Sequence, residues 1–424
     1  MAFLERSKFI PVSVDLVGMQ NPSEGVRGLM NRIPSRLTAL RGEDSQFLDG
    51  LLDQPVPILR NLDVIGSGAP VEERRIKRLP SVGSLVTTNL DNLQFHVPHL
   101  TNFRFKWTGT ARPDRVGMGD KLLNLFRSCP LLETVFVDYG HPREDLAFAA
   151  GETPSNVISL PHLRSFTHES PTNVIYIGLF NRLSLPSTCV VAFAIDVTDF
   201  DDRPWDPGFP APRDLSYFSD VKKVSIAFNT RETEGPHNLF TTELTNSRGM
   251  RISFNRKSRH RCDPSIYTSD QLLAFLEGIG VMESVETLRF ERYPVPCFSQ
   301  TDQGDMSQAM QKLCRLKTLV LWGCDPDVFF DNLYPRGSWC PTVEELVIGS
   351  EYRGYKGVEL VKRVRDIAMA RQEDGSPLKA ITMSSTTTEV VLPGCTEEFE
   401  ELKGCVESVE AVGLTFSDGS SSVS

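Results

Sequence analysis

Apolar residues recur along the chain with a spacing that is typical of short parallel strands. Residues 316–324 give the clearest instance, Leu-Lys-Thr-Leu-Val-Leu-Trp-Gly-Cys, which has the form L-x-x-L-x-L-x-x-C. Side chains in a strand alternate between two faces, so Leu319 and Leu321 are predicted to enter one core. Val320 and Trp322 then point the other way. One such segment cannot bury its own apolar face, and we therefore expect neighbouring copies on both sides.

Copies of this pattern occur along most of the chain. They lie at residues 59–64, 100–105, 132–137, 163–166, 285–290, 343–348 and 378–383. Many are about 30 residues apart, and three weaker apolar strands (189–195, 221–228 and 250–254) lie in the long gap after Leu163. The recurring spacing is that of a leucine-rich repeat. An ordinary α/β sheet of parallel strands is the alternative.

Segments with helical spacing alternate with these strands. They cover residues 120–128, 270–276, 305–314, 357–371 and 396–406, and a last strand is predicted at 409–416. The predicted fold is therefore an α/β, irregular leucine-rich-repeat solenoid, with parallel strands on the concave face and helices and loops on the convex face. One solenoid would span 1–416, followed by a disordered tail at 417–424.

Three segments interrupt the repeats. Residues 197–213 are rich in proline and are predicted to form a loop insertion, with contact to a partner as the alternative. Residues 66–80 are also predicted to be a loop. The basic run 251–261 is predicted to be a solvated turn, with a nuclear-import or acidic-partner patch as the alternative.

Composition excludes several classes of protein. A net charge of −10 over 424 residues argues against general nucleic-acid binding, which needs a positive field. No apolar run is long enough to span a bilayer, and the start has no secretory signal. Nine cysteines without paired spacing are expected to be reduced thiols. We therefore expect a cytoplasmic protein without membrane contact, with the nucleus as the alternative location.

Motifs for catalysis and cofactor binding are absent from the sequence. It has no G-x-x-x-x-G-K-[ST], G-x-G-x-x-G after a strand, G-x-S-x-G, H-E-x-x-H or C-x-x-C. His96 and His99 are separated by Pro98 and lack further ligands, while His168 is expected to flank a strand. We predict no catalytic, cofactor-binding or metal site, and no cofactor. An enzyme whose active site is built from scattered residues is the alternative.

Outward positions of the predicted strands suggest a binding face instead. Aromatic residues and arginines among polar neighbours are typical anchors of protein interfaces. The predicted partner-binding residues are Arg104, Phe136, Arg289, Val320, Trp322 and Glu345. Because these positions mix both signs of charge, the expected partner is a protein held on the concave face.

Several blocks resemble a known family. Residues 3–8 (Phe-Leu-Glu-Arg-Ser-Lys) with 11–14 (Pro-Val-Ser-Val) resemble the segment that follows the F-box in basidiomycete fungal F-box proteins. Residues 125–133 are similar to their helix-to-strand junction, and 160–170 with 177–183 to another shared block. The resemblance implies a leucine-rich-repeat receptor that holds substrates for an SCF (Skp–cullin–F-box) ubiquitin ligase.

The F-box segment itself would precede Phe3 and is missing from the sequence. A Skp-type adaptor is therefore expected as a partner only if an F-box lies upstream. A stand-alone leucine-rich-repeat scaffold without ligase association is the alternative function.

Overall fold

The computed structural model describes most of the repeat region. The described residues are 10–19, 23–43, 46–66, 77–88, 95–106, 118–138, 157–170, 182–196, 220–228, 237–258, 276, 280–291, 311–324, 327–330, 333, 341–350, 357–385 and 390–417. The chain divides into two compact units, Met1–Ile195 and Asp196–Ser424. The predictions for 197–213 and for 418–424 of the tail lie outside the described residues, whereas Ser417, predicted to begin the disordered tail, ends the last strand. One continuous solenoid over 1–416 stays a prediction.

Unit 1 consists mainly of short strands. They are β1 (Val12–Asp15), β2 (Leu37–Glu43), β3 (Asn61–Ile65), β4 (Lys77–Arg78), β5 (Ser84–Thr87), β6 (Phe95–His96), β7 (Asn102–Lys106), β8 (Thr134–Asp138), β9 (Ile158–Ser159), β10 (Ser165–Ser170), β11 (Leu183–Ser184) and β12 (Val190–Asp196). Its described α-helices are α1 (Glu24–Met30), α2 (Gln46–Leu52) and α3 (Met118–Ser128). A 3-10 turn covers Pro34–Arg36.

Eight strands of unit 1 form parallel sheet in the order β1-β2-β3-β5-β7-β8-β10-β12. Two further parallel pairs, β4 with β6 and β9 with β11, lie apart from it. Strand β4 corrects the prediction of a loop over 66–80, of which residues 67–76 lie outside the described residues. Within the main sheet of unit 1, strands that succeed one another along the chain lie side by side.

Inward positions of the repeats form continuous rows in unit 1. The first, fourth and sixth residues are buried in the repeats that begin at Leu37, Leu59, Val82, Leu100, Leu132 and Leu163. Behind the sheet, Phe126 of α3 meets Phe103 of β7 and Phe166 of β10 edge to face, with ring centroids 6.2 and 6.4 Å apart. The core thus lies between the sheet and α3, and the predicted helix 120–128 is confirmed.

His168 is an exception to the apolar rows. It was expected to flank a strand, but it lies within β10 at an inward position and is only 2% exposed. Its neighbours in register are Val137 and Phe193. Burial lowers the pKa of His168 to about 3, because the imidazolium form would lose its hydration.

A proline turn precedes many strands of unit 1. A buried apolar residue is followed by proline at residues 56–57, 79–80, 97–98, 129–130 and 160–161, and the first repeat leucine or valine comes two positions later. The amide of that residue donates to the carbonyl three positions earlier, as in Leu132 to Cys129 at 3.3 Å and Leu163 to Leu160 at 3.1 Å. Proline suits the second position of such a turn because its φ is already fixed.

Unit 2 combines parallel strands with one antiparallel segment. Its strands are β13 (Val221–Phe228), β14 (His237–Asn246), β15 (Arg251–Ser258), β16 (Thr287–Glu291), β17 (Thr318–Trp322), β18 (Glu345–Ser350), β19 (Ala380–Ser385), β20 (Val390–Pro393), β21 (Ser408–Val412) and β22 (Leu414–Ser417). Its α-helices include α4 (Asp327–Phe330), α5 (Gly357–Glu373) and α6 (Thr396–Cys405). The predicted helices 357–371 and 396–406 are confirmed to within two residues.

The main sheet order in unit 2 is β15-β14-β13-β16-β17-β18-β19-β21. Strands β13, β14 and β15 pair antiparallel, and the pairs from β13–β16 to β19–β21 are parallel. The prediction of a solvated turn over 251–261 is wrong for 251–258, because pairing with β14 continues strand β15 through those residues. Residues 259–261 lie outside the described residues.

The last predicted strand, 409–416, is two strands. Gly413 separates β21 from β22 with φ at 68°, a backbone conformation that favours glycine. A Cβ there would lie 2.9 Å from the carbonyl oxygen of Ser385. The chain therefore leaves the main sheet at Gly413, and β22 pairs with β20 instead.

Arg371 on α5 is buried, at 1% exposure, in unit 2. Its guanidinium donates hydrogen bonds to the carbonyls of Ser376 (3.0 Å), Pro341 (3.1 Å) and Val343 (2.9 Å). The side chain therefore ties the end of α5 to the turn before β18. Across the described residues, no helix is both long and apolar enough to cross a membrane.

Candidate functional site

Three parallel strands of unit 2 carry the candidate site on their outward positions. Strands β16, β17 and β18 pair in register, so Arg289, Val320 and Val347 lie side by side. At the next level Glu291, Trp322 and Gly349 are aligned in the same way. We call the outward residues of these strands the Trp322 face: Thr287, Arg289, Glu291, Thr318, Val320, Trp322, Glu345, Val347 and Gly349.

Gly349 allows the indole of Trp322 to lie against the neighbouring strand. A Cβ at position 349 would be 2.0 Å from Cε3 of Trp322, so no side chain fits there while the ring keeps its place. The chain turns directly after Trp322, where Gly323 has φ at 62° and donates to the carbonyl of Gly349 at 2.7 Å. The indole is only partly exposed and packs against the backbone of the neighbouring strand.

Arg289 holds the indole from the preceding strand. Its guanidinium carbon lies 5.4 Å from the centroid of the Trp322 ring, within the range of a cation–π contact. One guanidinium nitrogen also pairs with the Glu291 carboxylate at 3.0 Å, and the two side chains are 40% and 29% exposed. This arrangement orients the arginine while leaving part of it open to solvent.

The rest of the Trp322 face is a half-buried, mostly uncharged floor. Val320 and Val347 lie beside each other and are partly exposed. Next to them, the hydroxyl of Thr318 donates to the Glu345 carboxylate at 2.8 Å. Apolar side chains with a few oriented polar groups are typical of the central part of a protein interface.

Charged residues of unit 2 gather at the starts of the parallel strands. The second residue of successive repeats alternates in sign, and we call this set the charge row: Lys222, Glu286, Lys317, Glu344, Lys379 and Glu407. Measured between the charged atoms, the ion pairs are 2.8 Å for Lys222–Glu286, 3.8 Å for Lys317–Glu286 and 2.8 Å for Lys379–Glu344. The row was not predicted, although aligning the repeats would have revealed the alternation.

These contacts shift the pKa values within the charge row. The hydrogen bond donated by Lys222 lowers the pKa of Glu286, and the same bond raises the pKa of Lys222. Glu344 and Lys379 show the same pair of shifts for the same reason. The row therefore favours the charged state of each of these groups at neutral pH.

Unit 1 places two predicted residues together on its own outward face. The guanidinium carbon of Arg104 in β7 lies 4.5 Å from the centroid of the Phe136 ring in β8. The strands continue with Lys106 and Asp138, whose charged atoms are 4.0 Å apart. Phe136 is half-buried and Arg104 is exposed, so this pair forms a smaller aromatic surface flanked by charges.

Ion pairs cover the first strands of unit 1. Arg41 lies between Asp15 at 3.5 Å and Asp63 at 3.0 Å. Burial raises the pKa of Asp63, and the neighbouring guanidinium of Arg41 opposes that shift. This part of the sheet presents paired charges rather than an apolar surface.

The predicted partner-binding residues thus fall into two groups. Arg289, Val320, Trp322 and Glu345 lie on three adjoining strands of unit 2, whereas Arg104 and Phe136 are in contact in unit 1. Their role in binding stays a prediction. Sequence reasoning missed Gly349, whose alignment opposite Trp322 could have indicated the space needed for an indole.

Within the described residues, no three His, Cys, Asp or Glu side chains lie close enough together to hold a metal ion.

Comparison with known protein-family models and with curated proteins found no match to this chain.

Proposed function

We propose that the chain is a leucine-rich-repeat solenoid that binds a protein partner on the Trp322 face. The inward rows support the solenoid, because the first, fourth and sixth residues of successive repeats are buried, and the fourth and sixth lie side by side in register. It is also supported by the strand order, in which most main strands of each unit adjoin their sequence neighbours.

The single observation that carries the binding proposal is the packing of Trp322 against Gly349 and Arg289. Gly349 accommodates the ring, and Arg289 lies over it, so little rotamer entropy remains to be lost when a partner binds. Tryptophan and arginine are enriched among the residues that dominate the energy of protein interfaces. Val320 and Val347 extend the apolar area around the ring.

The proposed role is substrate recognition for an SCF-type ubiquitin ligase. The resemblance of residues 3–8, 11–14, 125–133, 160–170 and 177–183 to fungal F-box proteins supports this role. In such an assembly the Trp322 face holds the substrate, and an F-box contacts a Skp-type adaptor. The same face would serve a scaffold protein without ligase association.

Site-specific photo-crosslinking tests the binding proposal. A photoreactive phenylalanine analogue replaces Thr382, which lies beside Val347 on β19 and leaves the Trp322 face intact. The full tagged chain is irradiated in its own cells with the proteasome inhibited, and adducts are identified by mass spectrometry. We expect a discrete protein adduct that disappears in the Trp322→Ala variant.

The matched control carries the same analogue at Met369, an exposed residue of α5. Equal crosslinking at positions 369 and 382, or an adduct that survives Trp322→Ala, would contradict the proposal. Recovery of a Skp-type adaptor and a cullin with the adduct supports the ligase role. An adduct recovered without them identifies the scaffold role instead.

A further inference from the structure

The sheet beyond Trp322 carries an excess of negative charge. From β17 to β21 the outward residues at the described positions include the carboxylates of Glu345 and Glu410 and no cation. The part of the charge row on the same strands has no net charge, because Lys317 and Lys379 balance Glu344 and Glu407. Two negative charges therefore remain on this part of the surface.

Neither carboxylate is neutralised by an ion pair within the described residues. Glu345 accepts a hydrogen bond from the Thr318 hydroxyl, which leaves its charge in place. Lys379 acts on Glu345 only at longer range, since its ammonium group bonds to Glu344. Glu410 is exposed on β21, the last strand in the sheet order.

The surface between the two carboxylates has short side chains. Ala380, Thr382 and Ser384 occupy the outward positions of β19, next to Val347 and Gly349 of β18. A polypeptide backbone can approach such a floor closely, with Trp322 standing at one side. In the sheet order, β18 and β21 lie on either side of β19, and Glu410 is aligned with Thr382, two residues beyond the level of Glu345. Two strand spacings and this offset separate Glu345 and Glu410 by roughly 12 Å diagonally across the sheet.

We infer that the partner contributes an extended, cationic segment, and that its lysine or arginine side chains pair with Glu345 and Glu410. This inference rests on the proposed function and adds the chemistry of the bound segment. In an extended chain, residues four apart on the same face are separated by about 13 Å, which matches the two carboxylates. The segment therefore carries cations at positions i and i+4, with small or apolar residues between them.

Two fluorescent peptides of twelve residues test the inference. Both consist of valine, serine and alanine, and one carries lysine at positions i and i+4 where the other carries glutamate. Fluorescence anisotropy measures the Kd of each peptide for the full chain at 0.05 and 0.5 M NaCl. We expect the lysine peptide to bind about tenfold more tightly at low salt, and the preference to shrink at high salt because ions screen the contact.

Paired variants assign the effect to the two carboxylates. Glu345→Gln with Glu410→Gln is expected to weaken the lysine peptide about fivefold, since two exposed ion pairs are lost. The side-chain amide introduced at position 345 can still accept the Thr318 hydrogen bond. The matched control is Glu373→Gln with Asp374→Asn at the exposed end of α5, which removes the same charge and is expected to leave the Kd unchanged.

The outcomes separate this inference from the proposed function. Equal binding of both peptides, binding of neither, or an equal loss in the control variant overturns the cationic segment. The crosslink from position 382 and its sensitivity to Trp322→Ala decide the binding face independently. A tighter glutamate peptide together with that crosslink would keep the face and reverse the charge of its partner.

Discussion

Each unit has its own inward rows of buried residues, but the two units differ in where their charged side chains lie. In unit 1 several ion pairs lie on the outward face itself, as with Asp15–Arg41–Asp63 and Lys106–Asp138, and one pair, Glu133–Arg164, lies at the strand starts. Exposed pairs of this kind contribute little to stability and occupy the surface that a partner would contact. Among its described residues, unit 1 offers the small Arg104–Phe136 surface, which lies between charged groups.

In unit 2 the alternating charges lie in the charge row at the strand starts. The outward positions of β17 and β18 are thus open to Trp322, Val320 and Val347, with Gly349 providing the space for the indole. The comparison indicates that a row of charge pairs at the strand starts leaves more of the outward face for an aromatic anchor, beside which Arg289 and Glu291 form an ion pair.

Of the substitutions that distinguish the two units, Arg371→Ala should have the largest effect, and it should act on the stability of unit 2. Arg371→Ala leaves three carbonyls before β18 and after α5 without their donor, and it opens a cavity. We expect unit 2 to lose about 3–5 kcal/mol of unfolding free energy. Urea unfolding followed by circular dichroism measures the loss, and an effect below that of Arg363→Ala, a half-buried arginine of the same helix, would contradict it.

Unit 1 should be the more sensitive to mild acid because of His168. Its pKa is 6.5 in the unfolded chain and about 3 when buried, so the unfolded chain binds more protons between these values. Stability from this residue is complete above pH 6.5 and falls as pH decreases, by up to about 1.4 kcal/mol per pH unit.

His168→Leu should remove this part of the pH dependence. Urea unfolding at pH 7.0 and 5.0 compares the variant with the unchanged chain, and carboxylates titrating in both cancel in the difference. If both chains lose the same free energy between the two pH values, His168 is not the acid-sensitive group.

A methyl group at position 349 should damage the Trp322 face. Because a Cβ there overlaps the indole, Gly349→Ala should force the ring outward and cost about 1–3 kcal/mol. The double variant with Trp322→Ala should recover much of that cost, since the clash is gone. Additive costs in this double-mutant cycle would show that the ring does not depend on Gly349.

Neutralising the charge row should have the smallest effect. Glu286→Gln with Glu344→Gln removes two carboxylates whose pKa values are lowered by their lysine partners. The stability that they contribute is present above pH 4.5 and is lost as pH falls through the lowered pKa. Thermal unfolding at pH 7 and pH 3 should therefore separate the variant slightly from the unchanged chain, and the separation should be larger at pH 7 than at pH 3.

The sequence predicted repeats well where the apolar pattern is complete. The repeats at Leu132, Leu316 and Val343 have three large apolar residues each, and all are strands with buried first positions. The repeat at Val82 was missed because it begins 23 residues after Leu59 (82 − 59) and has Thr87 in its third inward position. A strong periodicity prediction overlooks repeats that are short or that use a polar inward residue.

The antiparallel segment of unit 2 had a weaker signal. Strand β14, His237–Asn246, contains few apolar residues, although it pairs with its sequence neighbours β13 and β15 and only residues 247–250 separate it from β15. The space opposite Trp322 depends instead on the register between two strands, which one repeat alone does not contain. Local patterns thus identified the anchor, while its support by Gly349 and Arg289 required the paired strands.

The alternating charge row imposes a parity rule on the number of repeats. Deleting the β17 repeat alone would bring Glu286 beside Glu344, so that two like charges replace two attractive pairs. Deleting β17 and β18 together would bring Glu286 beside Lys379 and restore an attractive contact. A repeat array of this kind can grow or shrink in steps of two without placing like charges side by side.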